Sequence, residues 1–197
     1  MRYLPVPSEL PPHMPRLRDG WGRKMCRIVL RLCGWSFVGH FPDVPRAVLI
    51  AAPHSSWWDG IWGLLLKVGM GADVKFMGKQ QLFHGPLGGV LRRVGGMPID
   101  RDAAKGVVEQ MVDQFAHRHA FWLGIAPEGT RKAVKRWKSG FWHIAHAAGV
   151  PIVTAYFNYP DKTIGVGPLF HTSDDMDADI ARLRAFYAPF KGRYRNV

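Results

Sequence analysis

Two side chains that could move a proton stand five positions apart, His54 and Asp59. An imidazole titrates closest to neutral pH, so His54 could act as a general base toward a hydroxyl group. A carboxylate at Asp59 could accept the other ring N–H, fix the tautomer and stabilise the imidazolium. The alternative is that Asp59 caps a helix and His54 is a polar turn residue, since this spacing is common by chance.

A second cluster, Pro127-Glu128-Gly129-Thr130-Arg131, follows a predicted strand. Gly129 leaves room for a ligand, Thr130 can donate through its hydroxyl and amide, and Arg131 carries a planar fork suited to phosphate. Glu128 has the charge of an anion itself, so we expect it to order this loop or to pair with an arginine. The cluster therefore indicates a binding site for a negatively charged substrate.

A third segment, Gly95 to Arg101, has glycines for a sharp turn and an arginine that could contact a phosphate through two hydrogen bonds. Taken alone, it is more simply a turn followed by a solvated Asp100–Arg101 pair at the start of a helix.

The apolar periodicity predicts strands that alternate with helices. Strands are predicted over 47–52, 75–77, 97–99, 121–126 and 152–157, and helices over 21–35, 57–68, 87–94, 102–119, 139–148 and 175–187. Ser56 and Asp59 fit a capping box at the start of the second helix. This order predicts an α/β fold with a mostly parallel (mixed) sheet flanked by helices on both faces.

The first predicted helix is amphipathic and basic. Its apolar residues recur at three- and four-residue steps, and they are Trp21, Met25, Ile28, Val29, Leu32 and Trp35. An ordinary surface helix would pack this stripe on the core, which is the simpler expectation. An interfacial helix would instead turn it toward lipid, with arginines and lysines near anionic headgroups.

Composition limits the class of protein and its partners. The chain has 197 residues, 47% of them apolar, which is typical of a globular protein. Its net charge of +12 favours anionic partners such as membrane lipid, nucleic acid or acidic carriers. No apolar run approaches the roughly 18 residues that a spanning helix needs. The start, 1–15, holds five prolines and no signal-peptide pattern. We expect a cytoplasmic protein, peripheral on the inner face of the cell membrane.

Cysteine usage argues against disulfides and metal sites. Cys26 and Cys33 would lie about 10 Å apart along a helix, too far for a disulfide. The chain has no Cys/His spacing typical of zinc sites, so no metal is expected.

Four blocks occur in the order typical of the glycerolipid acyltransferase family, which the chain resembles from residue 47 to residue 187. The blocks are Pro-His-x-Ser-x-x-Asp at 53–59, Gly-x-Pro-Ile-Asp-Arg at 96–101, Pro-Glu-Gly-Thr-Arg at 127–131 and Val-Pro-Ile-Val at 150–153. The best-known members are 1-acylglycerol-3-phosphate acyltransferases. The resemblance implies acyl transfer from acyl-CoA or acyl-carrier protein, a co-substrate rather than a cofactor, to a lysophospholipid hydroxyl in phospholipid biosynthesis.

The resemblance also implies a role for each matching residue. His54 would be the general base, with Asp59 orienting it, and no acyl-enzyme would form. The remaining matches would bind the phosphorylated acceptor, and they are Lys79, Arg101, Glu128, Gly129, Thr130 and Arg131. Residues 1–40 would be a Pro-rich start and basic helix, a candidate contact with an anionic membrane, and 41–197 the acyltransferase domain.

Three alternatives stay open at this point. The acceptor could be an amphiphilic alcohol without phosphate, because Pro53 and Ala126 replace residues common in the family. A basic nucleic-acid-binding protein without catalysis would explain the charge, although no reading motif is visible and no nucleic acid is expected as a partner. A serine hydrolase would need a Gly-x-Ser-x-Gly elbow, which the sequence lacks.

Overall fold

The computed structural model describes residues 9–18, 20–99, 106–132 and 134–196. Within these ranges the chain forms seven strands: β1 (Ser36–Val38), β2 (Arg46–Ala52), β3 (Val74–Lys79), β4 (Gly96–Ile99), β5 (Phe121–Ile125), β6 (Ile152–Asn158) and β7 (Thr163–Phe170). Six α-helices accompany them: α1 (Trp21–Leu32), α2 (Trp57–Met70), α3 (Gly85–Arg93), α4 (Val107–Ala116), α5 (Gly140–Ala148) and α6 (Met176–Tyr187), besides a short 3-10 helix over Gln80–Phe83.

All seven strands form one sheet in the order β1-β7-β6-β2-β5-β3-β4. Each neighbouring pair is parallel except β6 and β7, which are antiparallel. The predicted mixed, mostly parallel α/β sheet is therefore confirmed. All five predicted strands and all six predicted helices are found, with ends shifted by a few residues. The predicted start of α4, 102–105, lies outside the described residues.

Helices cover both faces of the sheet. Along β2, Val48, Ile50 and Ala52 point into a core that α4, α5 and α6 complete, while Ala47 on the opposite face joins a core with α1 and α2. This alternation follows from the two-residue repeat of a strand. Because a parallel sheet is buried on both faces, β2 reads in the sequence as a continuous apolar run rather than an alternating one.

The adjacent strands β2 and β5 send the chain to opposite faces of the sheet. The next α-helix after β2 is α2, which packs Leu66 and Met70 in one core, and the next after β5 is α5, which packs Phe141 and Ile144 in the other. A crevice forms at the carboxyl ends of two such strands, and open α/β sheets bind ligands there. The fold therefore places the loops after Ala52 and Ile125 side by side.

Four of the six residues in the predicted apolar stripe do not pack on the core, whereas Trp35 is buried in it. Trp21 is 83% exposed and Leu32 is 81% exposed, and Met25 and Ile28 are exposed as well. The simpler expectation of an ordinary surface helix is therefore wrong for these four residues, because α1 buries Leu30 instead.

The helices α1 and α2 run antiparallel against each other. Arg23, near the start of α1, donates a hydrogen bond to the carbonyl of Met70 at the end of α2. The ring of Trp35, just after α1, contacts that of Trp62 in the first half of α2 at a centroid distance of 5.2 Å and an angle of 35°. The end of α1 therefore lies toward the start of α2.

Both cysteines are free thiols, as expected. Within the described ranges, no helix combines the length and apolar character needed to cross a bilayer.

Candidate active site

The crevice at the carboxyl ends of β2 and β5 contains the first and third sequence blocks. After β2 the chain passes through a cis Ala52–Pro53 bond to His54 and enters α2 at Trp57. The loop after β5 carries Glu128, which is only 1% exposed. A hydrogen bond of 3.0 Å from the His54 amide to Glu128 Oε1 joins the two loops.

The predicted pair of His54 and Asp59 is in contact. His54 Nδ1 lies 3.4 Å from Asp59 Oδ2, with the imidazole 24% exposed and the carboxylate fully buried. A proton on Nδ1 directed at this carboxylate leaves Nε2 with its lone pair for an incoming hydroxyl group. The geometry fits a general base oriented by a buried anion.

Asp59 also caps α2, and the cap leaves the same carboxylate facing His54, whose orientation by Asp59 stays a prediction. Its Oδ2 accepts hydrogen bonds of 2.7 Å from the amides of Ser55 and Ser56, and Ser56 Oγ accepts one from the Trp58 amide. The predicted capping box is therefore confirmed. The cap fixes the carboxylate relative to the helix axis, and this in turn fixes the position of the imidazole.

A tyrosine completes the set of donors around Asp59. The hydroxyl of Tyr159, just after β6, donates to Asp59 Oδ1 at 2.5 Å. Burial opposes ionisation of Asp59, but hydrogen bonds from His54, Tyr159, Ser56 and Ser55 outweigh it, so the pKa of Asp59 is held below its ordinary value. Asp59 is thus a carboxylate at neutral pH, as an orienting partner of a base must be.

Both carboxylate oxygens of Glu128 accept hydrogen bonds from the protein itself. One oxygen accepts from the His54 amide, and the other accepts at 2.5 Å from Arg195 Nη2. The expectation that Glu128 orders its loop or pairs with an arginine is met by these contacts. Its role in acceptor binding, implied by the resemblance, stays a prediction and would be indirect in this arrangement.

The rest of the third block lines the crevice. Gly129 has a φ of 65°, and a Cβ there would lie 2.7 Å from Lys138 Cδ, so only glycine fits without a shift. Thr130 Oγ1 accepts from the Lys132 amide at 3.2 Å. The exposed Arg131 guanidinium lies 3.6 Å from the centroid of the Trp57 ring. Arg131 therefore offers a cation at the open side of the site.

Two predicted acceptor contacts are left without a structural description. Arg101 lies outside the described residues, and Lys79 is placed only by its backbone, at the end of β3. Both stay predictions. No group of three or more candidate metal-ligating His, Cys, Asp or Glu side chains occurs in the part of the chain that the structure describes.

Three backbone amides at the start of α2 are engaged within the protein. The Ser55 and Ser56 amides donate to Asp59, and the Trp58 amide donates to Ser56 Oγ. The capping box therefore uses these three donors. Ser55 Oγ accepts from the Tyr194 amide at 3.3 Å.

The aromatic residues of α2 divide between core and surface. Trp62 stacks between Trp35 and Trp58, and Leu66 is buried in the core. Trp57 is 73% exposed, and Trp58 and Ile61 are exposed as well. Trp57 and Trp58 therefore present apolar surface close to His54 in the chain, whereas Leu66 belongs to the core.

Sequence reasoning missed two residues of the site, Tyr159 and Arg195. Tyr159 follows β6 and is 100 positions from Asp59, and Arg195 is 67 positions from Glu128. Neither lies in a recognisable motif. Only the strand order, which brings the end of β6 beside β2, could have indicated Tyr159.

Comparisons with known proteins bear on the family and the fold of the chain. The profile of the Acyltransferase family matches residues 40–158, more than half of the chain. None of the curated proteins compared with the chain matches it. In fold, the chain is similar to the crystal structure of the 1-acyl-sn-glycerophosphate (LPA) acyltransferase PlsC from Thermotoga maritima, with a TM-score of 0.57, 15% identity, and coverage of 87% of this chain and 80% of that chain.

The profile match spans all four sequence blocks, the carboxyl end of β2 and the loop after β5. It decides against a nucleic-acid-binding protein without catalysis. At that edge of the sheet, His54 faces the buried Asp59 carboxylate. The chain belongs to the Acyltransferase family.

Proposed function

We propose that the protein transfers a fatty acyl group from an acyl thioester to the hydroxyl of a lysophospholipid, 1-acylglycerol-3-phosphate. The observation that carries this proposal is His54 Nδ1 at 3.4 Å from the buried Asp59 carboxylate, in the crevice of an acyltransferase fold. The PlsC protein of similar fold is named for that acceptor.

The reaction needs one base and no covalent intermediate. His54 Nε2 would take the proton of the acceptor hydroxyl while the hydroxyl oxygen attacks the thioester carbonyl carbon. The C–S bond of the tetrahedral adduct then breaks, and the leaving thiolate takes the proton from the imidazolium. The products are an ester and a free thiol, and His54 returns to its neutral form. Asp59 would stabilise the imidazolium between the two proton transfers.

The charge of the site supports an anionic acceptor. Arg131 presents its guanidinium at the rim, over the Trp57 ring. An arginine fork can hold a phosphate with two parallel hydrogen bonds. In this arrangement Arg131 would bind the headgroup phosphate, joined by Lys79 and Arg101 on the basis of the resemblance.

The exposed apolar surface supports action at an anionic membrane. The α1 stripe (Trp21, Met25, Ile28 and Leu32) and the start of α2 are exposed, and the net charge is +12. Tryptophans favour the headgroup region, and basic residues are attracted to anionic lipid. We propose that these two surfaces contact the inner face of the cell membrane, which would present lysophospholipid to the crevice.

The choice of acceptor is tested by thiol release from palmitoyl-CoA with 1-acylglycerol-3-phosphate, with 1-acylglycerol or with no acceptor. The proposal expects release that depends on the phosphorylated acceptor, together with formation of diacylglycerol phosphate. Equal release with the acceptor that lacks phosphate would favour an amphiphilic alcohol instead. Acylated carrier protein in place of palmitoyl-CoA identifies the donor.

A further inference from the structure

We propose that Arg195 is a positioning residue for the acyl transfer. This inference rests on the proposed function and names a component that lies outside all four sequence blocks. It starts from the observation that one guanidinium contacts both loops of the crevice.

Arg195 binds four groups at once. Its Nη2 donates to Glu128 Oε2 at 2.5 Å and to the His54 carbonyl at 2.8 Å, and it lies 3.4 Å from the Thr130 carbonyl. Its Nε donates to the Arg131 carbonyl at 3.0 Å. The side chain therefore links the loop after β2 to the loop after β5.

The pair of Arg195 and Glu128 holds the backbone of His54 from both sides. Glu128 Oε1 accepts from the His54 amide at 3.0 Å, and Arg195 Nη2 donates to the His54 carbonyl at 2.8 Å. Both peptide groups that set the direction of the His54 side chain are thus held by one ion pair. A shift of this pair would move the imidazole relative to the acceptor.

Charge balance explains why an arginine is needed there. Glu128 is 1% exposed, and a buried carboxylate is costly without a countercharge. Arg195 is 16% exposed and supplies that charge. A lysine could neutralise Glu128, but it lacks the rigid fork that reaches carbonyls of both loops together.

The segment that carries Arg195 is seated against the site. The Tyr159 amide donates to the Lys191 carbonyl at 2.9 Å, and the Lys191 amide donates to Asn158 Oδ1 at 3.0 Å. A Cβ on Gly192 would lie 2.7 Å from Ser55 Oγ, so glycine permits the close approach. The segment therefore contacts the end of β6 and the loop after β2.

Kinetics of Arg195→Ala and Arg195→Lys test the proposal with palmitoyl-CoA and 1-acylglycerol-3-phosphate. We expect kcat to fall by about 10- to 100-fold in Arg195→Ala, since small displacements of a catalytic group have effects of this size. The KM for palmitoyl-CoA should change less than kcat. Arg195→Lys keeps the charge on Glu128, so it should fold and still lose part of kcat. Lys191→Ala, whose exposed side chain lies on the same segment, is the matched control and should keep its activity.

Chemical rescue separates positioning from a general structural role. Free guanidinium, at a concentration too low to unfold the protein, should restore part of kcat in Arg195→Ala. Urea at the same concentration has a similar shape but no charge, and it should restore nothing. Unchanged kcat in both Arg195 variants, or equal effects of guanidinium and urea, would overturn the proposal.

Hydrogen exchange gives a readout that needs no activity. In Arg195→Lys, the amides of peptides containing 54–56 and 128–131 should exchange faster than in the wild type, while those of α6 should not. Unchanged exchange at both loops would overturn the inference. A wild type without acyl transfer to any acceptor would refute the proposed function, and the exchange result would still decide the role of Arg195.

Discussion

The hydroxyl of Tyr159 donates a 2.5 Å hydrogen bond to Asp59 Oδ1, on the opposite oxygen from the one that faces His54. Burial and the neighbouring Asp59 carboxylate raise the pKa of Tyr159 above its ordinary value, so the phenol keeps its proton and stays a donor. Asp59 is therefore fixed by three elements: its own helix, the histidine loop and the end of β6.

Tyr159→Phe should lower kcat about tenfold, because a hydrogen bond to a charged group contributes about 1.5–3 kcal/mol and this bond orients the carboxylate behind the base. The ring of Tyr159 packs edge-on against Trp35 at 5.1 Å, and phenylalanine preserves that contact. Steady-state kinetics of the variant measure the effect. Tyr194→Phe, at a residue that is 72% exposed, is the matched control. Wild-type kcat in Tyr159→Phe would show that the hydroxyl has no positioning role.

Arg131→Ala should raise the KM for 1-acylglycerol-3-phosphate about tenfold, because it removes charge-assisted hydrogen bonds to the phosphate. The KM for 1-acylglycerol, which has no phosphate, should stay unchanged. The adjacent exposed Lys132 supplies the control variant, Lys132→Ala. An equal rise in KM for both acceptors would show that Arg131 does not recognise the headgroup.

Trp21→Ser combined with Leu32→Ser should weaken binding to vesicles that contain anionic lipid. Burial of each side chain in lipid contributes about 1.5–3 kcal/mol, so the loss of affinity should exceed tenfold. Co-sedimentation with anionic and neutral vesicles at low and high salt measures both the apolar and the charge contributions. Val90→Ser removes an apolar residue that is 59% exposed on α3 and serves as the control. Equal binding by the double variant and the wild type would exclude the stripe as a membrane contact.

Acid stability should depend on Asp179, a fully buried carboxylate far from the catalytic pair in sequence. Burial opposes its ionisation, but hydrogen bonds from Trp142, Ser173 and Arg182 outweigh that effect and lower its pKa from 3.8 to about 2. Because the folded pKa lies below the unfolded one, the ionised group stabilises the fold fully above pH 3.8. This stabilisation is lost as the pH falls through about 2.

Urea unfolding of Asp179→Asn and wild type between pH 2 and pH 7 checks this prediction. The shift corresponds to about 2 kcal/mol, so the difference in unfolding free energy between the two proteins should be larger at neutral pH and shrink as the pH falls toward 2. A difference that does not vary with pH would show that ionisation of Asp179 does not stabilise the fold.

The sequence predicts the parts of the fold that repeat regularly. Strands β2, β5 and β6 are apolar runs because both faces of a parallel sheet are buried. The start of α2 can be predicted from the Ser56–Asp59 capping box. Strand β7 escapes prediction because its eight residues include two glycines and a proline. Its place is set by pairing with β6 and β1, which is a tertiary effect.

The residues of the candidate site likewise divide into those set by local sequence spacing and those set by tertiary structure. His54 and Asp59 lie on one loop and one helix turn, so their contact could be predicted from spacing and helix geometry. Tyr159 and Arg195 could not, since each reaches the site through the folded sheet and matches no motif. The orientation of α1 was also beyond the sequence, because periodicity identifies an apolar stripe but not whether the core or a membrane covers it.

The most direct test of the account is thiol release from palmitoyl-CoA in the presence of 1-acylglycerol-3-phosphate, comparing the wild type with His54→Ala. His143→Ala, at an exposed histidine on α5, is the control. We expect acceptor-dependent release by the wild type and the control, and a loss of about 10²- to 10⁴-fold in His54→Ala, because that variant lacks the general base. Equal acceptor-dependent release by His54→Ala and the wild type would contradict the role of His54 as the base.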